Sequence, residues 1–576
     1  MTVAIPDLRP DFNDRNASSW GSRDLLKKVL LFTACFFFVA VRSFLIARAH
    51  LTTIDAQYHA INGLALLRGL PMPEMVDNPP FGSALAILPV WALRLVGIDM
   101  GLQRWVETIA VWKSLVAMPI FIVGYLWARQ LYGNGAGLLA LLLLLIEPTL
   151  SAQIAYVGND TVSLSSIALT LWLGYRYVSQ PDWRNFFLVA VCGGVALSIK
   201  QNAVFAGVSI VTTALITWFI RPWWLRNSLK NQSGGFPDLR RITAQLLLAP
   251  AILFIVIWAC VLFRFDPVLT SLPSRREHFP FAHLLLKPWP AGLYIRSVRD
   301  MMAHARDGHM GFLLGQSRRS GWWYYFPVVA TYKVPIGMGL VFCLALFQWR
   351  KPKWEEVPLF ISIFWFVAMC LSSTIDIGFR HALPCVFVMI IFASRCWTGW
   401  HTWKGWAVAL ATIAAAVDVA CAFPNLVSYV NFPRDKVWLQ INDSNLDWGQ
   451  CLLQARDWAD THAQGRPVSY LHWGVLSAAL DPKVTLDSVA GPNLHIIPED
   501  RKSLPQSGFL LVGPNVLAGQ YFQTPLVPEL RDQEPIDMVG GVVAVYDIDE
   551  LKRRGVKLWD STTRPAGPTP ASSPVR

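Results

Sequence analysis

The chain has 576 residues, of which 54% are apolar and only 15% charged. With a mean hydropathy of +0.39 it is excluded from the ordinary soluble globular proteins. A formal net charge of +12 would suit a nucleic-acid binder. The cations, however, stand in short segments between apolar runs, which speaks against nucleic acid and for a membrane topology.

Residues 1–27 form a polar tail that runs into Lys27-Lys28 and reads as cytoplasmic. Apolar stretches of roughly 17–25 residues, the length a ~30 Å hydrocarbon core demands of a helix, then recur about eleven times. They lie near 28–47, 107–128, 135–151, 161–178, 185–200, 203–220, 244–263, 323–348, 356–374, 379–394 and 405–424. The first lacks a small-residue cleavage site and reads as a signal anchor. With the N-terminus in the cytoplasm, Arg129, Arg176 and Arg184 fall on the cytoplasmic side. So do the groups Arg221, Arg226, Lys230, Arg240 and Arg241, then Arg350, Lys351 and Lys353, then Arg395 and Lys404, as the positive-inside rule requires. The same count places the loops 48–106 and 264–322, and everything after 424, outside.

Within the first outer loop, Phe81–Val96 resembles a helix lying in the interface plane. The second carries Arg275, Arg276, His278, Arg296, Arg299, His304, Arg306 and His309 and breaks the positive-inside trend. It reads either as a solvated basic loop near anionic headgroups or as an attractor for a phosphate-bearing lipid or substrate. From 425 to 561 the chain turns polar, with strand-like runs at Val468–His472, Gly508–Val512 and Gly541–Tyr546 and an amphipathic stretch at 450–463. That pattern predicts a small α/β domain outside the membrane. Residues 562–576 have the Pro/Ser/Thr-rich composition of a disordered tail. Of nine cysteines, only Cys451 lies in the outer region, and no metal-ligand spacing appears. The cysteines read as small buried hydrophobes.

A charge at membrane depth is costly, so the outer ends of the spans are where chemistry is expected. The topology gathers Asp55 and His59 after the first span, Asp160 at the start of the fourth and Lys200 at the end of the fifth. Lys333 stands inside the eighth, after Tyr325 and before Pro335, and Arg380-His381 open the tenth. Asn445, Asp447 and Gln450 begin the outer domain. Such a set suits transfer of a group from a lipid phosphate. A carboxylate takes the proton of the attacking hydroxyl, and fixed cations stabilise the departing phosphate. One such charge is typically worth on the order of 3 kcal/mol, so no metal or other cofactor is expected. Each residue also has a structural alternative: a helix cap for Asp160, snorkelling for Lys200, the turn into the outer domain for Asp447, and plain ion pairing for Lys333 and Arg380.

These residues lie in a series of motifs: Asp55 in the first outer loop, Asn78-Pro79-Pro80-Phe81-Gly82, Gly315–Pro327 followed by Lys333-Val334-Pro335, Ile377–Pro384, and Ser444-Asn445-Leu446-Asp447-Trp448-Gly449-Gln450. In that order they resemble the C-type (GT-C-like) membrane glycosyltransferases, nearest the protein-mannosyltransferase-like and aminoarabinose-transferase-like enzymes, over most of residues 20–460. The resemblance implies an all-α polytopic membrane domain over 28–424, followed by the outer α/β domain. It implies inverting transfer from a polyprenyl-phosphate sugar to an acceptor hydroxyl on a glycan, lipid or protein. Asp55 would be the general base. Lys333, Arg380, His381 and Lys200 would hold the donor phosphate, and His59, Asp160, Tyr325, Asn445, Asp447 and Gln450 would contact substrate. It further implies a multi-pass protein of the cell inner (plasma) membrane whose partners are lipid-linked sugar, acceptor and membrane lipids. The chain departs from the family where Asp55-Ala56 replaces an acidic pair and where Asn78 stands at a position that is commonly His. A transporter or flippase of a lipid-linked or anionic envelope precursor is the alternative; it would show two matching halves and helices broken at mid-membrane.

Overall fold

The computed structural model describes residues 22–73, 76–220, 238–270, 282–348, 353–432, 436–497, 505–520 and 528–556. The expected cationic cluster from Arg221 to Lys230, the residues Arg275, Arg276 and His278, the pair Arg350-Lys351 and the terminal tail from 562 lie outside them.

Every apolar stretch expected as a span is helical. Among the described residues, seven helices are long and apolar enough to cross a membrane, or nine if two bent pairs each count as one. The remaining two stretches are α9 (Asp160–Ser179) and the shorter α10 (Trp183–Ile199). The chain is a multi-pass membrane protein. The first span is α1 (Ser22–Ala49). The second combines α5 (Leu102–Val116) with α6 (Met118–Tyr132).

Two stretches expected as single spans are broken, which corrects the reading of 135–151 and 323–348. The chain bends by 60° between α7 (Asn134–Ile146) and α8 (Pro148–Ala155), and by 116° between helices Tyr325–Lys333 and Ile336–Phe347. Both breaks fall at a residue followed by proline. Glu147 and Val334 are extended, with ψ of 116° and 122°, because a following proline ring disfavours the helical conformation before it and brings no N–H to the helix. Lys333 therefore ends a separate short helix rather than standing inside a long one.

Outside the spans, the first loop folds into α2 (Asp55–Leu67), α3 (Pro80–Ala86) and α4 (Leu88–Leu95). The Pro-Pro-Phe-Gly motif has a mechanical reading. Pro80 sits in the first turn of α3, where its missing N–H costs nothing. A Cβ at Gly82 would lie 2.9 Å from the Ile199 side chain, so glycine lets α3 press against the end of α10. The second loop holds an antiparallel pair, β1 (Phe265–Pro267) with β2 (Pro288–Pro290), a helix over Gly292–Asp307, and a second pair, β3 (Gly311–Leu313) with β4 (Gln316–Arg318).

The C-terminal region contains the expected sheet, five strands in the order β6-β5-β7-β9-β8. The runs read from the sequence are β5 (Val468–Leu471), β7 (Phe509–Val512) and β9 (Val543–Asp547); the edge strands β6 (Leu494–Ile497) and β8 (Asp537–Val539) were not anticipated. β5 runs parallel to β6 and β7, while β9 is antiparallel to β7 and β8. The core of this sheet continues without a border into the membrane domain. Tyr470, Leu511 and Val545 belong to the same buried cluster as Leu446, Trp448, Phe379, Tyr325 and Tyr156.

Candidate active site

Four charged side chains from distant segments meet at one end of the spans. Arg380, in the 3-10 turn Phe379–Ala382, donates from Nη1 to Asp55 Oδ2 at 2.9 Å and stands 3.5 Å from Asp160 Oδ2. Lys200, at the end of α10, donates to Asp160 Oδ1 at 2.5 Å. Asp160 does not cap its own helix; both its oxygens serve cations instead. The two carboxylates differ in access. The Asp55 side chain is 36% exposed, those of Asp160 and Arg380 only 6% and 8%. Asp55 is thus the more accessible of the two carboxylates.

Asp55 lies in the first turn of α2, where the helix dipole favours a carboxylate. One turn on, His59 points its Nδ1 at Ser83 Oγ, 2.9 Å away on α3. Burial pushes its imidazole down to about 4 despite the nearby Asp55 and Asp160, so it is neutral at neutral pH. His381 stands beside Arg380 in the field of Lys200, Arg380 and Asp160.

The segment 442–450 holds this constellation from behind. Trp448 presents its ring to Arg380, whose Cζ is 4.0 Å from the ring centroid, a cation–π contact. The Trp448 carbonyl accepts from Ile54 N at 2.9 Å, fixing the residue before Asp55. Asn445 Oδ1 accepts from Phe379 N at 2.8 Å and its amide donates to Tyr325 Oη at 2.9 Å. Gln450 Oε1 accepts from Trp448 N at 2.6 Å, and Asp447 Oδ1 accepts from Gly449 N at 2.9 Å. Gly378 lets this segment cross closely, since a Cβ there would fall 2.1 Å from Ser444 Oγ and displace it. Tyr325, Asn445, Asp447 and Gln450, expected to contact substrate, are buried and spend these hydrogen bonds on the scaffold that seats Asp55 and Arg380.

Lys333 behaves likewise. Its ammonium donates to the carbonyls of Val427, Tyr429 and Asn445 at 2.7, 2.7 and 2.8 Å, using all three of its protons. In this arrangement it ties the broken eighth span to the 425–445 segment and has no donor left for a phosphate.

A second cluster, not singled out from the sequence, stands beside the first. Tyr58 Oη donates to Asp77 Oδ1 at 2.6 Å, His304 Nδ1 is 3.3 Å from Asp77 Oδ2, and His304 Nε2 is 2.9 Å from His309 Nδ1. Burial alone would raise Asp77, but the His304 and Tyr58 hydrogen bonds hold it at about 2. An ionised Asp77 accepts from His304 Nδ1–H, and His304 Nε2 shares its hydrogen bond with His309 Nδ1. His309 in turn feels both Asp55 and Arg380. The signal was present in the sequence, with Asp77 directly before the Asn-Pro-Pro motif and both histidines in the basic loop. Their convergence needed the fold. Among the described residues, no group of three or more His, Cys, Asp or Glu side chains is placed to hold a metal ion.

A family model described as dolichyl-phosphate-mannose-protein mannosyltransferase matches residues 86–236, about a quarter of the chain. That segment is mannosyltransferase-like, and the resemblance to this superfamily drawn from the motifs is borne out. No curated protein matches the chain in sequence. Among solved structures, the crystal structure of ArnT from Cupriavidus metallidurans bound to undecaprenyl phosphate is 14% identical, covering 90% of this chain and 97% of that one at a TM-score of 0.44. The Archaeoglobus fulgidus oligosaccharyltransferase tethered with an acceptor peptide is 10% identical, covering 84% of this chain and 65% of that one, also at 0.44. The same archaeon's AglB in complex with an inhibitory peptide and a dolichol-phosphate is 11% identical, covering 75% and 58% at 0.40. Over residues 86–236 the chain is similar to that family of mannosyltransferases.

Proposed function

We propose that the protein transfers a sugar from a polyprenyl-phosphate donor to an acceptor hydroxyl on the extracytoplasmic face of the membrane, with inversion. The observation that carries this reading is the accessible Asp55 carboxylate held 2.9 Å from the buried Arg380. The acceptor oxygen forms a bond to the anomeric carbon as the bond from that carbon to the phosphate oxygen breaks. The acceptor proton passes to Asp55, and the lipid phosphate departs with the electron pair.

Charge balance supports the assignment. Asp55, Asp160, Lys200 and Arg380 sum to zero. When Asp55 takes the proton, one positive charge is left uncovered on the Arg380 side just as the departing phosphate gains a negative one. The site thus binds the transition state better than the ground state. A single reachable carboxylate also favours direct displacement over a glycosyl-enzyme intermediate, because Asp160 is buried and doubly paired. Arg380, Lys200 and His381 remain the groups we assign to the donor phosphate; Lys333 moves to a holding role.

The two broken helices are a feature transporters share. Where the breaks meet, however, the space lined by Thr149, Lys333 and Asn445 is about 10 Å³, no more than a single water needs. The transport reading therefore stays second. Purified protein given a labelled polyprenyl-phosphate sugar should form a glycoside of inverted anomeric configuration; a retained configuration would exclude the direct displacement.

A further inference from the structure

A cavity lies away from the Asp55–Arg380 pair. It has a volume of about 760 Å³ and opens between the outer end of α1, the start of α5 and the C-terminal domain. That volume is within the ~300–1,000 Å³ typical of small-molecule sites. Three arginines line it, each from a different element: Arg48 at the end of α1, Arg104 in the first turns of α5, and Arg456 on the helix Leu452–His462 of the outer domain. Arg48 and Arg104 are exposed and have no ion-pair partner among the described residues; Arg456 shares Asp457 at 2.9 Å.

The cavity's two carboxylates are already engaged. Asp481 accepts from Leu102 N at 3.2 Å and from Lys483 N at 3.1 Å, and Glu107 accepts from Gln103 at 3.3 Å. The cavity therefore offers guanidinium donors in excess of carboxylate acceptors. It sits where two apolar helices long enough to cross a membrane end, where a headgroup region is expected.

We propose that this cavity binds the anionic phosphate headgroup of a membrane lipid, with Arg48 and Arg104 as its phosphate ligands and Arg456 closing it from the outer domain. Guanidinium forks match phosphate oxygens two at a time, and a headgroup held there bridges the membrane domain to the sheet domain. The site is separate from the sugar-transfer reading and does not rest on it.

The test is native mass spectrometry of the delipidated full-length protein, with phosphatidylglycerol, phosphatidylcholine and sn-glycerol 3-phosphate as separate probes. Phosphatidylglycerol should be retained over phosphatidylcholine. In the double variant Arg48→Ala/Arg104→Ala that retention should fall about tenfold, as loss of two solvent-exposed ion pairs predicts; Arg68→Ala, exposed and outside the cavity lining, should match wild type. Neither altered arginine has an ion-pair partner among the described residues, and a matching circular-dichroism spectrum would confirm that the double variant is folded. Equal retention of both lipids, undiminished binding in the double variant, or an equal loss in Arg68→Ala would overturn the proposal. Binding of glycerol phosphate as strongly as the lipid would make the ligand a soluble phosphate and overturn the lipid assignment. Sugar transfer is not read, so failure here leaves the proposed function standing, and the reverse holds too.

Discussion

Asp55 and Arg380 are separated by 325 positions in the chain and by 2.9 Å in space. A sequence exposes such a pair only through cost. A charge at the edge of an apolar run has to be paired or used, and Asp55, Asp160, Lys200 and Arg380 were legible on that ground. Asp55→Asn keeps the shape and removes the base, so transfer should fall by roughly 10²–10⁴-fold while donor binding, read by filter retention of labelled lipid, persists. Arg380→Ala should weaken donor use more than acceptor use in steady-state kinetics; an equal loss of both would remove it from the phosphate. What sequence could not separate was a polar group that meets substrate from one consumed by the scaffold. Tyr325, Asn445 and Gln450 stand in the same motifs and have the same chemistry as site residues. Only the fold shows their hydrogen bonds directed inward.

At the scale of elements, the site is shaped by the two breaks at Glu147-Pro148 and Val334-Pro335 and by the segment that braces them. Hydropathy integrates across a break, so both stretches read as single spans; the prolines were the local sign. Lys333→Met should leave three buried carbonyls without their donor, at ~1–3 kcal/mol each. A lowered melting temperature with donor KM little changed in the surviving folded fraction would identify a tie. A selective rise in donor KM at unchanged stability would return Lys333 to the phosphate. Asp447 supplies a pH test. Burial raises its carboxyl from 3.8 to about 7, so the folded state binds its proton more tightly than the unfolded chain does. That contribution to stability is present at low pH and is lost as pH rises between about 4 and about 7. Asp447→Asn should flatten the pH dependence of the melting temperature in that window, and an unchanged slope would contradict the assignment. The sheet shows a similar limit of legibility. The central strands β5, β7 and β9 are apolar runs that announce themselves, whereas β6 and β8 are short edges whose pairing is decided by their neighbours.

For the whole molecule, the order of spans followed from apolar length, and their expected orientation rests on the placement of lysine and arginine. With the N-terminus in the cytoplasm, the Asp55 site and the sheet domain share the outer face. A tag at the C-terminus should then be accessible to protease or antibody from outside intact spheroplasts, and protection there would contradict the orientation and the site together. The continuous core from Tyr325 and Phe379 through Trp448 to Tyr470 makes the outer domain part of the machinery that seats Arg380. Its removal should abolish activity rather than merely reduce it.

The most direct measurement is sugar transfer from a set of radiolabelled polyprenyl-phosphate sugars by purified protein in lipid nanodiscs, wild type beside Asp55→Asn. The wild type should transfer sugar, and the variant should lose transfer with donor binding intact. Equal transfer by both would take Asp55 out of the mechanism, and donor binding without transfer by the wild type across all sugars would contradict the assignment of a glycosyltransferase.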